Sequence, residues 1–168
     1  MFDRLLVPTD FSPASDAALG YARRLAARFG ASLHLLHVLE DPSAGGAFGS
    51  EFDLADSPGM RTARLNNARD RLAHRVMPDD RSQVHATPEV IFGKSAQTIV
   101  DYATDGDVDL IVIGTHGRSG MAHLLMGSVA ESVIRTAPCP VLTVRDRAAL
   151  PGTMPTAERP ATSTSSCT

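Results

Sequence analysis

Three glycines and a serine late in the chain have the spacing of a phosphate-binding loop. Gly114 and Gly117 are separated by two residues, and Gly127-Ser128 follows after nine more. Glycine lets backbone N–H groups approach a ligand closely, and a helix that begins beside Ser128 adds free N–H donors and the positive end of its dipole. These residues therefore predict an anion site built from main-chain N–H groups, without the need for a lysine.

The same residues also fit ordinary turn chemistry. Ser128 and Glu131 have the S-x-x-E spacing of a capping box, in which two side chains satisfy the first N–H groups of a helix. Glycine patterns of this kind often occur by chance. The spacing alone leaves phosphate binding and a capped turn open as equal alternatives.

A second group of polar residues follows the first apolar run of the chain. Phe2 to Val7 predicts a short buried strand, and Pro8-Thr9-Asp10 comes directly after it. Ser12 is a suitable N-cap, and Pro13 suits the first position of a helix. Asp10 is therefore either a ligand contact or a residue of the turn before this helix, and the residue pattern alone favours the turn.

Segments typical of strands and of helices alternate along the chain in the order β-α-β-α-β-α-β-loop-α-β. Five apolar runs predict the strands: Phe2 to Val7, Leu33 to Leu39, Val84 to Phe92, Val108 to Ile113 and Val141 to Val144. Strands that alternate with helices form right-handed crossovers and a parallel sheet covered on both faces. The sequence therefore predicts an α/β fold, a single doubly wound domain that binds ligands outside the carboxyl ends of its strands.

Four helical patterns connect these strands. The first runs from Pro13 to a stop at Gly30 and has an apolar stripe with three alanines beside it: Ala17, Tyr21, Leu25 and Phe29, with Ala18, Ala22 and Ala26. The second is rich in arginine, the third is closed by Gly106, and the fourth begins at Ser128. Pro88 removes a ladder donor from the third strand and predicts that this strand lies at an edge of the sheet.

Two segments lack helical or strand periodicity. Residues 43–59 are rich in Gly, Ser and Asp, and they are predicted to form a long loop. Residues 148–168 are rich in Pro, Ser and Thr and are predicted to form a disordered tail, because they cannot bury enough apolar surface to offset their ordering entropy. The domain accordingly covers residues 1–147.

Two other patterns resemble binding motifs without completing them. Gly93-Lys94-Ser95 matches the end of a P-loop, but that motif needs a glycine where the sequence has Pro88, so we interpret Ser95 as a helix cap. His34 and His37 point to opposite faces of one strand, and no carboxylate or cysteine joins them at ligand spacing. We therefore predict no metal site formed by side chains, and we identify no catalytic residue.

The composition of the 168-residue chain argues against several classes of function. The 16 basic and 19 acidic side chains give a net charge of −3, so no global basic field exists for a nucleic-acid duplex. No apolar stretch approaches the ~20 residues of a membrane span, and Asp3 and Arg4 interrupt the N-terminus before a signal peptide could form. Cys139 and Cys167 fit free thiols rather than a disulfide framework. We expect a cytoplasmic protein that binds neither nucleic acid nor membranes.

Four segments of the sequence resemble, in the same order, the ATP-binding branch of the universal stress protein family. They are Leu5 to Ser12, His37-Val38, Asp109 to Gly117, and Gly127 to Leu142. Within them, the G-x2-G-x9-G-S spacing of Gly114, Gly117, Gly127 and Ser128 resembles the nucleotide-binding signature of that branch. The resemblance covers residues 1–145 and is far more specific than a single glycine pattern.

The resemblance implies a five-stranded sheet in the order 3-2-1-4-5 and a set of nucleotide contacts. By this likeness Asp10, with Pro8 and Thr9 beside it, and the main chain of Val38 hold the adenosine part of ATP, and the Gly114 region contacts the ribose. The phosphates are held by the Ser128 hydroxyl and by the main chain of four residues: Gly117, Gly127, Ser128 and Val129. A divalent ion, Mg or Mn, is bound mainly through the phosphates.

The resemblance also implies a homodimer that forms by pairing of the last strand, Val141 to Val144. We therefore interpret the protein as an ATP-binding, dimeric stress-response protein whose nucleotide state changes its binding partners. The alternative is an enzyme on the same fold that slowly hydrolyses nucleotide or phosphorylates itself, because the same residues would serve either function.

Overall fold

The computed structural model of the chain describes residues 2–40, 58–76, 84, 86–115 and 126–145. Three predictions fall on other residues. The phosphate contact Gly117, most of the loop at residues 43–59 and the tail at residues 148–168 lie outside the described part of the chain.

Strands and helices alternate along the chain as predicted. The strands are β1 (Arg4–Pro8), β2 (Ser32–Leu39), β3 (Ala86–Phe92), β4 (Leu110–Gly114) and β5 (Val141–Val144). The helices are α1 (Pro13–Phe29), α2 (Pro58–Arg75), α3 (Ser95–Asp105) and α4 (Ser128–Thr136). The strands form one parallel sheet in the order β3-β2-β1-β4-β5, which confirms the predicted fold class and topology.

Each face of the sheet is covered by a pair of helices. Successive residues of a strand point to opposite faces, so Leu5 and Val7 of β1 pack in the core beneath α1 and α2. Leu6, between them, packs on the other side with residues of α3 and α4. The two cores together place the central strands β1 and β4 between layers of helices.

Helix α1 begins and ends as predicted, but its buried side is different. Ser12 accepts a hydrogen bond from the Ser15 N–H at 3.3 Å, and Gly30 ends the helix with φ 68°, a left-handed conformation that glycine adopts readily. The buried side consists mainly of alanines: Ala14, Ala18, Ala22 and Ala26. Tyr21 and Phe29 of the predicted stripe are 41% and 38% exposed. The prediction was therefore correct for Ala18, Ala22 and Ala26 and wrong for Tyr21 and Phe29, because the close approach of α1 to the sheet accepts small side chains.

The edge position of β3 is confirmed, since this strand pairs with β2 at the edge of the sheet and brings Pro88 opposite Leu35.

Two helix starts differ from the predictions. Helix α2 begins at Pro58, so the last two residues of the predicted loop are helical. Helix α3 begins at Ser95 and has Lys94 as its N-cap residue without a side-chain cap, so Ser95 is not the helix cap.

No helix within the described ranges has the length and apolar character needed to cross a bilayer.

Candidate functional site

A cavity of about 330 Å³ lies at the carboxyl ends of β1, β2 and β4. From β1 the chain crosses to β2 on one side, whereas β4 lies on the other side, and ligands bind at such a switch point in doubly wound folds. The volume falls within the range of roughly 300–1,000 Å³ that is typical of small-molecule sites. The lining includes Pro8, Thr9, Asp10, Ser15, His37, Val38, Ser95, Ile99, Gly114, Thr115, Gly127, Ser128 and Val129.

The turn between β1 and α1 forms one wall of the cavity through a set of internal hydrogen bonds. Asp10 Oδ1 accepts the Ser12 N–H at 3.0 Å, which is the turn contact predicted as the alternative to ligand binding. Ser15 Oγ donates to Ser12 O at 2.8 Å, so the Thr9 hydroxyl is the donor in its 3.0 Å contact with Ser15 Oγ. Asp10 therefore both shapes the turn and lines the cavity.

The end of β2 forms the adjoining wall. His37 is buried, and its Nδ1 lies 2.7 Å from the Thr9 carbonyl oxygen, so Nδ1 carries the proton and donates it. His34 lies on the other face of the strand, where its Nδ1 is 2.8 Å from the Tyr102 hydroxyl. The predicted separation of the two histidines is present, and only His37 lines the cavity.

Gly114 ends β4 where the strand passes very close to the first turn of α1. A Cβ atom at this position would lie 2.7 Å from the carbonyl carbon of Ala14 and 2.9 Å from the backbone nitrogen of Ser15. Both are backbone atoms that cannot move aside without shifting the helix. The absence of a side chain at Gly114 therefore has a packing reason that is independent of any ligand.

The amino terminus of α4 forms a further wall of the cavity. Gly127 is its N-cap residue, with no side chain capping the helix, and Ser128 is the first helical residue. The Glu131 carboxylate pairs with Arg135 at 2.8 Å. The capping box considered from the sequence is therefore not formed, and the first turn of α4 presents N–H groups that have no partner within the helix.

Gly127 itself joins this helix to the sheet. Its N–H donates to the Thr115 carbonyl at 2.7 Å, and the Thr115 N–H in turn donates to Val144 O at 2.9 Å. Because the Gly127 N–H already has a partner, the main-chain donors that remain for an anion belong to Ser128, Val129 and Ala130. The φ of −73° at Gly127 is accessible to any residue, so the backbone conformation at this position does not require glycine.

The cavity has two chemically different ends. Among the described residues that line it, Asp10 is the only acidic side chain, and there is no lysine or arginine. The N-terminus of α4 carries the positive end of a helix dipole. The arrangement suits a ligand that offers hydrogen-bond donors at one end and an anionic group at the other.

Shifted pKa values are resolved for Asp109, Tyr102 and Cys139, which lie outside the lining of this cavity. Hydrogen bonds from the backbone N–H groups of Asp3 and Arg4 lower the pKa of the Asp109 carboxyl. Burial raises the pKa of the Tyr102 hydroxyl and of the Cys139 thiol. In the part of the chain that is described, no group of three His, Cys, Asp or Glu side chains could hold a metal ion.

All predicted contact residues that the structure describes lie around the one cavity: Pro8, Thr9, Asp10, Val38, Gly114, Gly127, Ser128 and Val129. Lys94 is exposed and is not part of the lining. Eight further residues of the lining were not among the predicted contacts: Ser15, Leu36, His37, Ser95, Ile99, Ile113, Thr115 and Ala130. Ser95 had a usable signal, because a helix that starts just after a parallel strand begins at the same edge of the sheet as the site.

Comparisons of the sequence and of the structure with known proteins point to the same family. The sequence profile of the Universal stress protein family matches residues 1–145. Universal stress protein MJ0531 of Methanocaldococcus jannaschii is 30% identical over 150 residues, which cover 86% of this chain and 83% of the relative. The solved structure of protein MJ0577 of the same organism is similar with a TM-score of 0.74 and 26% identity, over 86% of this chain and 96% of that chain.

A likeness of fold alone links the chain to a universal stress protein of Archaeoglobus fulgidus that was solved in complex with dAMP. The TM-score is 0.59 and the identity 22%, over 86% of this chain and 98% of that chain.

The fold and the cavity define a doubly wound α/β protein with a cavity at its switch point. The family profile and the relatives match most of the sequence, and they identify the family as well as the fold. The chain belongs to the universal stress protein family.

Proposed function

We propose that the protein binds ATP in this cavity and acts in the cytoplasm as a dimeric regulatory protein whose nucleotide state changes its partners. The observation that carries the proposal is the combination, in one cavity, of the Asp10 carboxylate with the uncapped N-terminus of α4. Family membership supports it, since a universal stress protein of this fold is known in complex with the nucleotide dAMP.

The adenosine part of ATP fits the end of the cavity formed by β1 and β2. An ionised carboxylate accepts hydrogen bonds only, so Asp10 suits the hydroxyl groups of a ribose. Val38 lies next to the last residue of β2, and Pro8 at the end of the neighbouring strand β1 is followed by Thr9; all three residues line the cavity. Ile99 of α3 adds an apolar surface for the flat base.

The phosphates of ATP fit the end formed by α4. The N–H groups of Ser128 and Val129 and the Ser128 hydroxyl act as donors, and the dipole of the helix favours the negative charge. Gly127 leaves space for the approach of the phosphates, and Gly117, which lies outside the described residues, is proposed to act with it. The phosphates themselves supply the oxygen ligands that Mg or Mn prefers, so a divalent ion is held mainly through the nucleotide.

The most direct test is mass analysis of nucleotide released when the purified protein is denatured, combined with calorimetric titration of ATP and Mg. Co-purified ATP, or binding of added ATP at micromolar concentration, is the expected result. ADP alone would favour the hydrolysing enzyme. A protein that carries no nucleotide and gives no heat with ATP would contradict the proposal.

The proposed dimer uses β5, which lies at an edge of the sheet. The carbonyl groups of Pro140 and Val144 accept N–H groups of Ile111 and Thr115, so strand alternation directs the backbone groups of Val141 and Thr143 away from β4. Leu142 is 38% exposed. An edge with unpaired backbone groups and an exposed apolar side chain suits pairing with the same strand of a second copy.

Light scattering tests the dimer, and we expect twice the chain mass at micromolar concentration. Val141→Pro removes an outward N–H while it leaves the ladder to β4 intact, so it should shift the protein towards the monomer. Thr143→Ser is the control, since it keeps every backbone donor. A monomeric parent protein, or a dimer unaffected by Val141→Pro, would contradict pairing through β5.

A further inference from the structure

Phe11, which follows Asp10 in the turn between β1 and α1, has a backbone conformation that bulky residues rarely adopt. Its φ is 66°, in the left-handed region where glycine is favoured. The Phe11 N–H donates to Thr9 Oγ1 at 3.0 Å. This residue reverses the chain between strand and helix, so its conformation decides where the adjacent Asp10 carboxylate lies.

Side chains from two other elements hold the Phe11 ring. The His37 imidazole of β2 lies with its centroid 4.3 Å from the ring centroid. On α2, the guanidinium carbon of Arg71 lies 3.9 Å from the ring centroid, and that of Arg75 lies 4.7 Å away. Stacking and cation–π contacts of this kind stabilise the ring position and offset the unfavourable backbone conformation.

The same contacts fix the rest of the turn. His37 Nδ1 donates to the Thr9 carbonyl at 2.7 Å, and Asp10 Oδ1 accepts the Ser12 N–H at 3.0 Å. Asp10 lies in the chain between Thr9, which accepts from His37, and Ser12, which donates to the Asp10 carboxylate, and it lines the cavity. The contacts of the Phe11 ring and these hydrogen bonds therefore act on the backbone on either side of Asp10.

We propose that Phe11 is a positioning residue: its ring, held by His37 and Arg71, keeps the turn in the conformation that directs Asp10 to the nucleotide and thereby couples α2 to the cavity. This role rests on the proposed binding of ATP. Helix α2 buries Ala68 and Leu72, and the contact between Arg71 and Phe11 is one of the side-chain contacts that attach it, beside the Arg75–Asp16 ion pair and the contact of Arg61 with Phe92. A partner that displaces α2 would loosen Asp10 through this contact.

The test compares Phe11→Gly with the parent protein by calorimetric titration of ATP. Glycine removes the ring but suits the positive φ better than phenylalanine does. If the ring positions Asp10, ATP binds about tenfold more weakly to Phe11→Gly, the loss expected for ~1.4 kcal/mol of positioning. If only the backbone conformation matters, Phe11→Gly binds ATP as tightly as the parent or more tightly, and the proposal is overturned.

Variants of α2 test the coupling without changing the turn. Arg71→Leu should weaken ATP about threefold, the scale of an exposed cation–π contact, and Arg71→Lys should restore most of the affinity. Arg69→Leu removes an exposed arginine from the same helix and should bind like the parent. Equal losses in Arg71→Leu and Arg69→Leu would show a general charge effect and would overturn the role of Arg71.

A double-variant cycle with Asp10→Asn decides whether Phe11 acts through Asp10. In the Asp10→Asn background, Phe11→Gly should have little further effect on ATP affinity, whereas additive losses would contradict the positioning role. If Phe11→Gly fails to fold, as judged by circular dichroism, the cycle is made with Arg71→Leu instead. Failure of the parent protein to bind ATP would overturn the proposed function together with this role, whereas ATP binding with additive losses would overturn this role alone.

Discussion

The two ends of the central strands β1 and β4 use their polar groups in opposite ways. At the amino end, Asp109 Oδ2 accepts the N–H groups of Asp3 and Arg4 at 2.8 and 2.9 Å, and the Asp109 N–H donates to Arg4 O. The Arg4 guanidinium donates to the Gly106 carbonyl. These groups satisfy one another and join the two strands.

At the carboxyl end, polar groups surround a cavity instead. Among the described residues no side chain caps α4, and Asp10 lines the same cavity as the N-terminus of this helix. Backbone chemistry is the same at both ends of a parallel sheet, so the difference comes from the residues that follow or precede the strands. We call the amino end the closed end, because the Asp109 side chain joins the two strands there. We call the carboxyl end the open end, because glycines and a helix start surround a cavity there.

Gly114→Ala should have the largest effect, because the open end depends on the close approach of β4 to α1. The added Cβ meets backbone atoms of Ala14 and Ser15 within 3 Å, so we expect a loss of about 3 kcal/mol in the free energy of unfolding. Denaturant unfolding measures it. Gly20→Ala is the matched control: its Cβ meets nothing within 4 Å, and alanine should stabilise α1 slightly. Equal stability of the two variants would contradict the close packing at Gly114.

Gly127→Val should have the largest effect on binding. The φ at Gly127 suits valine, so the fold should remain, while the side chain enters the space before the α4 N-terminus. We expect ATP to bind about 2 kcal/mol more weakly, the scale of losing charge-assisted hydrogen bonds. Calorimetry measures the affinity, with circular dichroism to verify folding. A folded Gly127→Val that binds ATP like the parent would show that the phosphates lie elsewhere.

Most of the fold could be predicted from the sequence, because the residues that mark the ends of helices and strands agree with the observed sheet topology. Ser12, Pro13 and Gly30 mark the ends of α1 by their own backbone preferences, and Pro88 marks an edge strand by its missing donor. The buried side of α1 could not be predicted in the same way. The exposure of Tyr21 depends on how the helix packs on the sheet, and the face that packs there consists mainly of alanines.

The candidate site was predicted only in part, because some of its residues follow from the fold and others depend on local packing. Residues at strand ends, such as Asp10 and Val38, follow from the fold and from the family resemblance. The absence of the capping box was not predictable, since S-x-x-E spacing does not say whether Ser128 is the cap or the first helical residue. Ser95 was missed because its side chain was assigned to a local cap, whereas its hydroxyl donates to Glu40 Oε1 at 2.7 Å.

Asp109→Asn tests the closed end, and its effect should depend on pH. The N–H donors hold the pKa of Asp109 below its usual range in the folded protein, so its stabilisation is present at neutral pH and is lost as the pH falls through the lowered pKa. We expect the variant to be up to about 1 kcal/mol less stable at neutral pH, a value discounted for solvent exposure. The two stability curves should converge only in acid, at pH values below the lowered pKa of Asp109. A difference that persists there, or a change in ATP affinity at neutral pH, would break the separation between the two ends.

Ser128→Ala should have the smallest effect and sharpens the assignment of donors at the open end. The helix already lacks a side-chain cap, so loss of this hydroxyl removes one hydrogen bond to phosphate and leaves the first N–H groups of α4 in place. We expect ATP to bind about 0.5 kcal/mol more weakly, the lower range for one hydrogen bond, with unfolding unchanged. Lys94→Ala is the matched control at another helix start, and it should not alter ATP affinity because Lys94 is exposed and outside the cavity lining. If Lys94→Ala weakens ATP more than Ser128→Ala does, the phosphates lie against α3 rather than α4, and the assignment of the two ends of the cavity is wrong.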